Sequence, residues 1–129
     1  TNDTATAVTR LIDMGVDPYL VASTVIGVFA QRLVRRLCPD CRVQEGEGDN
    51  SWHAPGCRQC DYSGFRGRVG IYELLLVSDD TRKLIMEGRS SAEIHQHARD
   101  NGMTTILEDG LIKVEQGLTT RDEVFRVGH

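Results

Sequence analysis

Four cysteines are the residues of this 129-residue chain whose type and spacing point most directly to chemistry. Cys38 and Cys41 form one Cys-x-x-Cys pair, Cys57 and Cys60 form another, and the fifteen residues 42–56 lie between them. Two residues between cysteines allow a tight knuckle that turns two thiolates toward one ion. A loop of this length brings the second pair round to complete a tetrahedron. The spacing therefore favours structural zinc over the two competing readings of four cysteines, a pair of disulfides or a redox dithiol. Four thiolates leave no open coordination position, so such a site braces a fold and does not activate water. Pro39 and Gly56 suit the turns around the pairs. His53 lies between them as an alternative ligand that four well-spaced cysteines make unnecessary.

Four thiolates around one Zn²⁺ carry a formal surplus of about two negative charges. Arg35, Arg36, Arg42, Arg58, Arg66 and Arg68 are near in sequence, and either offset that charge or form a solvated surface. The intervening loop is polar and Gly-rich, an excursion tolerant of change, with Trp52 as its expected anchor.

Composition narrows the remaining function classes. Net charge is −4 and pI about 5.5, which argues against nucleic acid as the main partner, since phosphate binding needs a basic face. Aromatics make up 5% and leave few stacking platforms. Hydrophobic content of 40% and charged content of 26% place the chain in the globular range. Thr1-Asn2-Asp3 has no basic n-region of a secretory signal. The most apolar run, residues 20–30, is eleven residues long and contains Ser23 and Thr24. A spanning helix needs about 20 residues, so no transmembrane segment is expected. Neither Lys83 nor Lys113 follows a glycine-rich phosphate cradle, and H-E-x-x-H and G-x-S-x-G are absent. No catalytic residue is assigned.

The elements that must position the cysteines read as mainly α. Asp3 or Thr4 opens a first helix carrying Val8, Leu11 and Ile12, and Gly15 ends it. Asp17-Pro18 opens a second, buried helix expected over residues 18–37, with Arg32, Arg35 and Arg36 in its last turns as complements to the helix dipole. Part of residues 69–77 reads as a short strand. Ser78 or Asp79, Ser90 with Glu93, the region of Thr105, and Thr120 with Glu123 open four short helices, of which the second and fourth carry capping boxes. Ile85, Ile94, Ala98, Ile106, Leu107, Leu111, Val114, Val124 and Phe125 are expected to build one small shared core. His95 and His97, two apart on a helix, face different sides and read as surface or satisfied residues. Without further information the chain is a zinc-stapled helical domain, and a free-standing adaptor for protein or nucleic acid remains the alternative function.

Three segments together resemble one family. QRLVRRLCPDC (Gln31–Cys41), GCRQCDYSGFRGRVGIYELL (Gly56–Leu75) and EDGLIKVEQGLTTRDEVFRV (Glu108–Val127) look like the C-terminal region of bacterial type II secretion ATPases and the related type IV pilus assembly ATPases. The short cysteine loop favours the pilus branch. The segment through VFRV looks as much like the secretion branch, which is preferred overall. The resemblance implies a cytoplasmic P-loop ATPase that forms a hexameric ring, hydrolyses ATP with Mg²⁺, and works through neighbouring subunits and an inner-membrane platform protein. It implies that Thr1 and Asn2 directly follow the histidine of a histidine box, so that the chain lacks the nucleotide machinery and does not itself hydrolyse ATP. The expected organisation is a helical tail of an α/β ATPase core (1–37), a tetracysteine zinc module with short β segments (38–68), and a C-terminal bundle of short helices (69–129). Arg32, Arg35 and Arg36 are then candidates for contact with nucleotide or an adjacent subunit.

Overall fold

A computed structural model describes residues 3–45 and 51–128. Among them the elements are α1 (Thr4–Asp13), α2 (Pro18–Thr24), β1 (Gly27–Leu37), β2 (Val43–Glu45), β3 (Ser51–His53), a 3-10 turn (Arg58–Cys60), β4 (Phe65–Leu76), α3 (Asp79–Met86), α4 (Ser91–Asp100), α5 (Ile106–Glu115) and α6 (Arg121–Val127). Helix predominates, as expected, but a long two-stranded ribbon of β1 and β4 carries the cysteine region. Val77 N–H bonds to Ile26 O at one end of the ribbon and Cys38 N–H to Gly64 O at the other, so the strands run antiparallel.

The expected helix over 18–37 is half right. Asp17 caps it through Tyr19 N–H at 2.8 Å and Pro18 opens it, but α2 ends at Thr24. Val25, Ile26, Gly27 and Val28 are poor helix formers together, because branched Cβ atoms crowd the preceding turn and glycine adds backbone entropy. Gln31–Leu37 has residues that suit a helix, yet pairing with β4 overrides that preference. Arg32, Arg35 and Arg36 consequently lie on a strand and complement no helix dipole.

The chain divides into two compact units, one formed by residues up to Ala30 with Glu73–Thr105, the other by Gln31–Tyr72 with the chain from Ile106 on. In the first, Val8, Val21, Leu75, Val77, Ile85, Ile94 and Ala98 form the core, with Val28 and Ile12 packed against it. Asp3 accepts from Thr6 N–H at 2.7 Å and starts α1, while Ser78 and Ser90 start α3 and α4 in the same way. The outward side of the ribbon here is also apolar, with Phe29, Leu74 and Leu76 exposed.

In the second unit Val34, Ile71 and Ile106 form a core flanked by Val69 and Val127, and Val114 and Val124 are buried. The single shared core expected for the last four helices is therefore two cores. Ile85, Ile94 and Ala98 belong to one and Ile106 to the other, while Phe125 is exposed. No helix among the described residues is long and apolar enough to cross a membrane.

Candidate metal centre

The two Cys-x-x-Cys pairs meet in the second unit, brought together by the end of β1 and the start of β4. Cys38 directly follows β1, and its N–H donates to Gly64 O at 2.9 Å, which joins the first knuckle to the chain leaving the second. Arg42 N–H returns to Cys38 O at 3.0 Å and closes the first knuckle. Tyr62 N–H returns to Cys57 O at 2.8 Å and closes the second. Asp61 and Tyr62 there both take positive φ, 53° and 61°, a conformation non-glycine residues enter only when surroundings hold them. Gly56 is required at its place. Its φ is 105°, and a Cβ would stand 2.7 Å from Tyr62 O.

All four sulfurs lie within 4.8 Å of one another. Cys38–Cys57 and Cys57–Cys60 are 3.8 Å apart and Cys41–Cys60 is 3.9 Å. Zinc–sulfur bonds of about 2.3 Å in a regular tetrahedron put the sulfurs about 3.8 Å apart. The residues therefore fit a four-thiolate metal. They do not fit disulfides, whose sulfurs sit at about 2.05 Å, and all four cysteines are free.

Backbone amides surround the sulfurs. Cys60 Sγ accepts from Cys57 N–H at 3.2 Å and Gly64 N–H at 3.3 Å, and Gly56 N–H serves Cys41. Burial works against charge on Cys60, yet those two amides and the thiols of Cys57 and Cys41 bring its pKa down to about 6. Cys41 is pushed up to about 12 by burial, with Gly56 N–H opposing and the thiols of Cys57, Cys38 and Cys60 adding to the rise. Four thiols this close share protons, and the one with two amide donors releases its proton first.

The arginines near the cysteines in sequence are largely engaged elsewhere. Arg35 donates to Glu123 Oε1 from Nε at 2.8 Å and Nη2 at 2.6 Å, and lies 4.1 Å from the centroid of the Phe65 ring. Arg36 Nε donates to Arg66 O at 3.1 Å, and Arg66 pairs with Asp40 at 3.5 Å. Arg42 stacks over Trp52 and donates to Gly117 O. The amides are thus placed to offset part of the charge that thiolates would carry here, a pattern that sequence spacing does not reveal. Arg32 sits on β1, half-buried. Trp52 anchors the cysteine loop as expected, on β3 and against Gly117. His53 is the last residue of β3, paired in register with Val43. Thr1, Asn2 and residues 46–50 lie outside the described residues.

Two buried carboxylates escaped the sequence reading. Glu123 was expected to complete a capping box with Thr120. Thr120 does cap α6, but the carboxylate turns instead to Arg35 and to Arg126 at 2.8 Å. Burial raises the pKa of Glu123, and its bonds to the Arg35 side chain and amide and to Arg126 outweigh that, so the group is held below the usual carboxylate range. Glu73, buried on β4, binds Thr4.

The chain has close relatives of known class. It is 49% identical over 127 residues to the type II secretion system protein HxcR of Pseudomonas aeruginosa, covering 98% of this chain and 26% of that protein. It is 43% identical over 141 residues to the type IV pilus assembly ATPase PilB of Thermus thermophilus, covering 97% of this chain and 16% of PilB. The type II secretion system ATPase E of Vibrio cholerae is 43% identical over 142 residues, covering 98% of this chain and 28% of that protein. The chain thus spans under a third of the length of these relatives. A family model described as type II/IV secretion system protein matches residues 1–126, and the chain belongs to that family.

Proposed function

We propose that this chain is the zinc-bearing C-terminal part of an ATP-driven secretion motor, with zinc held by Cys38, Cys41, Cys57 and Cys60. The observation that carries the reading is the gathering of four sulfurs within 4.8 Å of one another, three of their pairs at the 3.8–3.9 Å that a zinc tetrahedron needs, within a member of the secretion family. Zinc here is structural, because four cysteines saturate it. The chain shapes the motor subunit and offers docking surface to neighbouring subunits of a hexameric ring and to an inner-membrane platform protein, on the cytoplasmic side. ATP and Mg²⁺ belong to the longer protein, since the phosphate cradle and its lysine are not in these residues. Type II secretion is preferred to pilus assembly, in keeping with the HxcR match.

Arg32, Arg35 and Arg36 belong to the same proposal as contacts to a neighbouring subunit or nucleotide. Arg35 and Arg36 are anchored within the chain by Glu123 and Arg66 O, which limits their reach. Two measurements test the function. Elemental analysis of the purified chain should return about one zinc per chain. The chain alone should turn over no ATP above a matched blank. A metal-free, folded chain overturns the metal reading, and ATP turnover by the chain overturns the structural role.

A further inference from the structure

We infer that the metal site sets a latch on the turn between α5 and α6, so that metal loading governs how firmly the end of α5 is held. The inference rests on the zinc reading above. The turn covers residues 116–120, and two arms of chain grip it. One arm precedes the first knuckle. Leu37 N–H donates to Leu118 O at 2.9 Å, and Thr119 hydroxyl donates to Arg35 O at 2.8 Å. The other arm follows that knuckle. Arg42 Nη1 donates to Gly117 O at 2.6 Å and reaches Gln116 O at 3.5 Å. Its guanidinium lies 4.9 Å from the centroid of the Trp52 ring, and the Trp52 ring presses on Gly117, where a Cβ would meet it at 2.8 Å. Residues on either side of Cys38–Cys41 therefore hold the same turn.

The arms differ in what supports them. The Arg35–Leu37 arm is part of β1, an eleven-residue strand paired with β4. The Arg42 arm runs into β2, a three-residue strand paired with the three-residue β3. A two-stranded hairpin of that size is marginal by itself in water. Cys41 precedes this small ribbon and Cys57 follows it, so a bound ion ties its two flanks together. Without the ion the β1 arm keeps its ladder, while the Arg42–Trp52 arm loses both tethers. The carbonyls of Gln116 and Gly117 then lose their cationic cap, and the last turn of α5, whose closing bonds are Gly117 N–H to Val114 O and Leu118 N–H to Lys113 O, is the segment set free.

Amide hydrogen exchange on the whole chain tests this, zinc-loaded and after removal of zinc by a chelator under reducing conditions. Stripping should speed exchange over residues 113–118 by about tenfold or more, with a clearly smaller change over 34–37 and over α3 and α4. Emission of Trp52, the one tryptophan of the chain, should shift to the red as its ring leaves Gly117. In the zinc-loaded protein, Arg42→Ala should reproduce the faster exchange over 113–118 while zinc stays bound. The inference is overturned if 113–118 stays protected once zinc is verifiably gone, if Arg42→Ala leaves it protected, or if stripping accelerates every segment alike. A chain that takes up no zinc overturns the metal reading, and the inference with it. A chain that binds zinc with an unmoved latch overturns the inference alone.

Discussion

The carboxylate of Glu73 receives both the backbone N–H of Thr4 at 2.8 Å and its hydroxyl at 2.7 Å, with all of these groups buried. Thr4 is the first residue of α1, so a negative charge sits at the positive end of a ten-residue helix, beside the Asp3 cap. His95 Nε2 lies 3.9 Å from the other carboxylate oxygen. This ties β4, α1 and α4 together around one charge in the first unit.

Removing that carboxylate leaves the buried Thr4 N–H unmet and its hydroxyl with only the weak acceptor Met103 Sδ at 3.8 Å. Glu73→Ala should destabilise the first unit by about 2–4 kcal/mol in urea unfolding. Glu73→Gln should lose less, because both bonds run to one oxygen, Oε2, and an amide oxygen in its place still accepts both. The control is Glu87→Ala, at a residue that pairs at the surface with Arg89 at 3.6 Å; that change should stay within about 0.5 kcal/mol. Equal losses at Glu73 and Glu87 would show that the buried bonds contribute nothing.

Glu123 gives the second unit a pH dependence. Its pKa is depressed in the fold, through the balance of burial against Arg35 and Arg126. An unfolded glutamate titrates at about 4.3. A depressed acid contributes stability that is present above that value and is lost as pH falls through the folded value. The stability gap between the native chain and Glu123→Gln should therefore be about 1–3 kcal/mol at neutral pH and should close on acidification. Zinc release in acid affects both proteins and cancels in the difference. A gap that does not change with pH would mean that shape, not charge, holds Glu123 in place.

What could be read in the sequence was what local physics decides. The cysteine pairs were legible because two-residue spacing sets a knuckle, and the caps at Asp3, Asp17, Ser78, Ser90 and Thr120 because a helix start is satisfied within three residues. Gln31–Leu37 was misread because its strand partner lies far along the chain, and a run rich in Gln, Arg and Leu suits a helix until that partner arrives. Glu73 looked like any other surface acid, and Glu123 like the second half of a capping box with Thr120. Their partners Thr4 and Arg35 are 69 and 88 positions away, a distance over which no spacing rule reaches. The division of the last four helices between two cores was hidden for the same reason, since each helix carries its own apolar stripe and nothing in it names the strand it packs on.

The metal-free thiols should titrate unequally. Cys60 should ionise near about 6 and Cys41 only near about 12. Thiolate absorbance followed against pH in the zinc-stripped, reduced chain should show an early step that Cys60→Ser removes. The sign for stability follows. An unfolded cysteine titrates at about 8.5, so the lowered Cys60 favours the metal-free fold above that value and loses its contribution as pH falls through about 6. The raised Cys41 acts oppositely, and its contribution fades above pH 8.5 or so. Four thiols rising together near 8.5 would show that the amides of Cys57 and Gly64 do not reach sulfur in the metal-free chain.

Gly117 joins the cysteine loop to the end of α5, and two separate effects exclude a side chain there. Its φ is 76°, and a Cβ would stand 2.8 Å from two atoms of the Trp52 ring and 2.9 Å from Arg42 Nη1. Gly102 has only the first effect, with φ 99° and nothing within 4 Å of the added atom. Gly102→Ala should therefore cost about 1 kcal/mol, from the left-handed backbone alone. Gly117→Ala should cost about 1–3 kcal/mol more, because the indole must move or the turn must shift. Most of the extra part belongs to the pair with Trp52, because the Arg42 guanidinium is the far end of a flexible side chain and the indole is rigid, so it should largely vanish when the ring is absent. In a Trp52→Ala background the loss from Gly117→Ala should fall toward that of Gly102→Ala, a coupling that a double-mutant cycle in urea reads directly. An undiminished loss in that background would place the strain in the backbone or against Arg42 and leave Trp52 with no hold on α5.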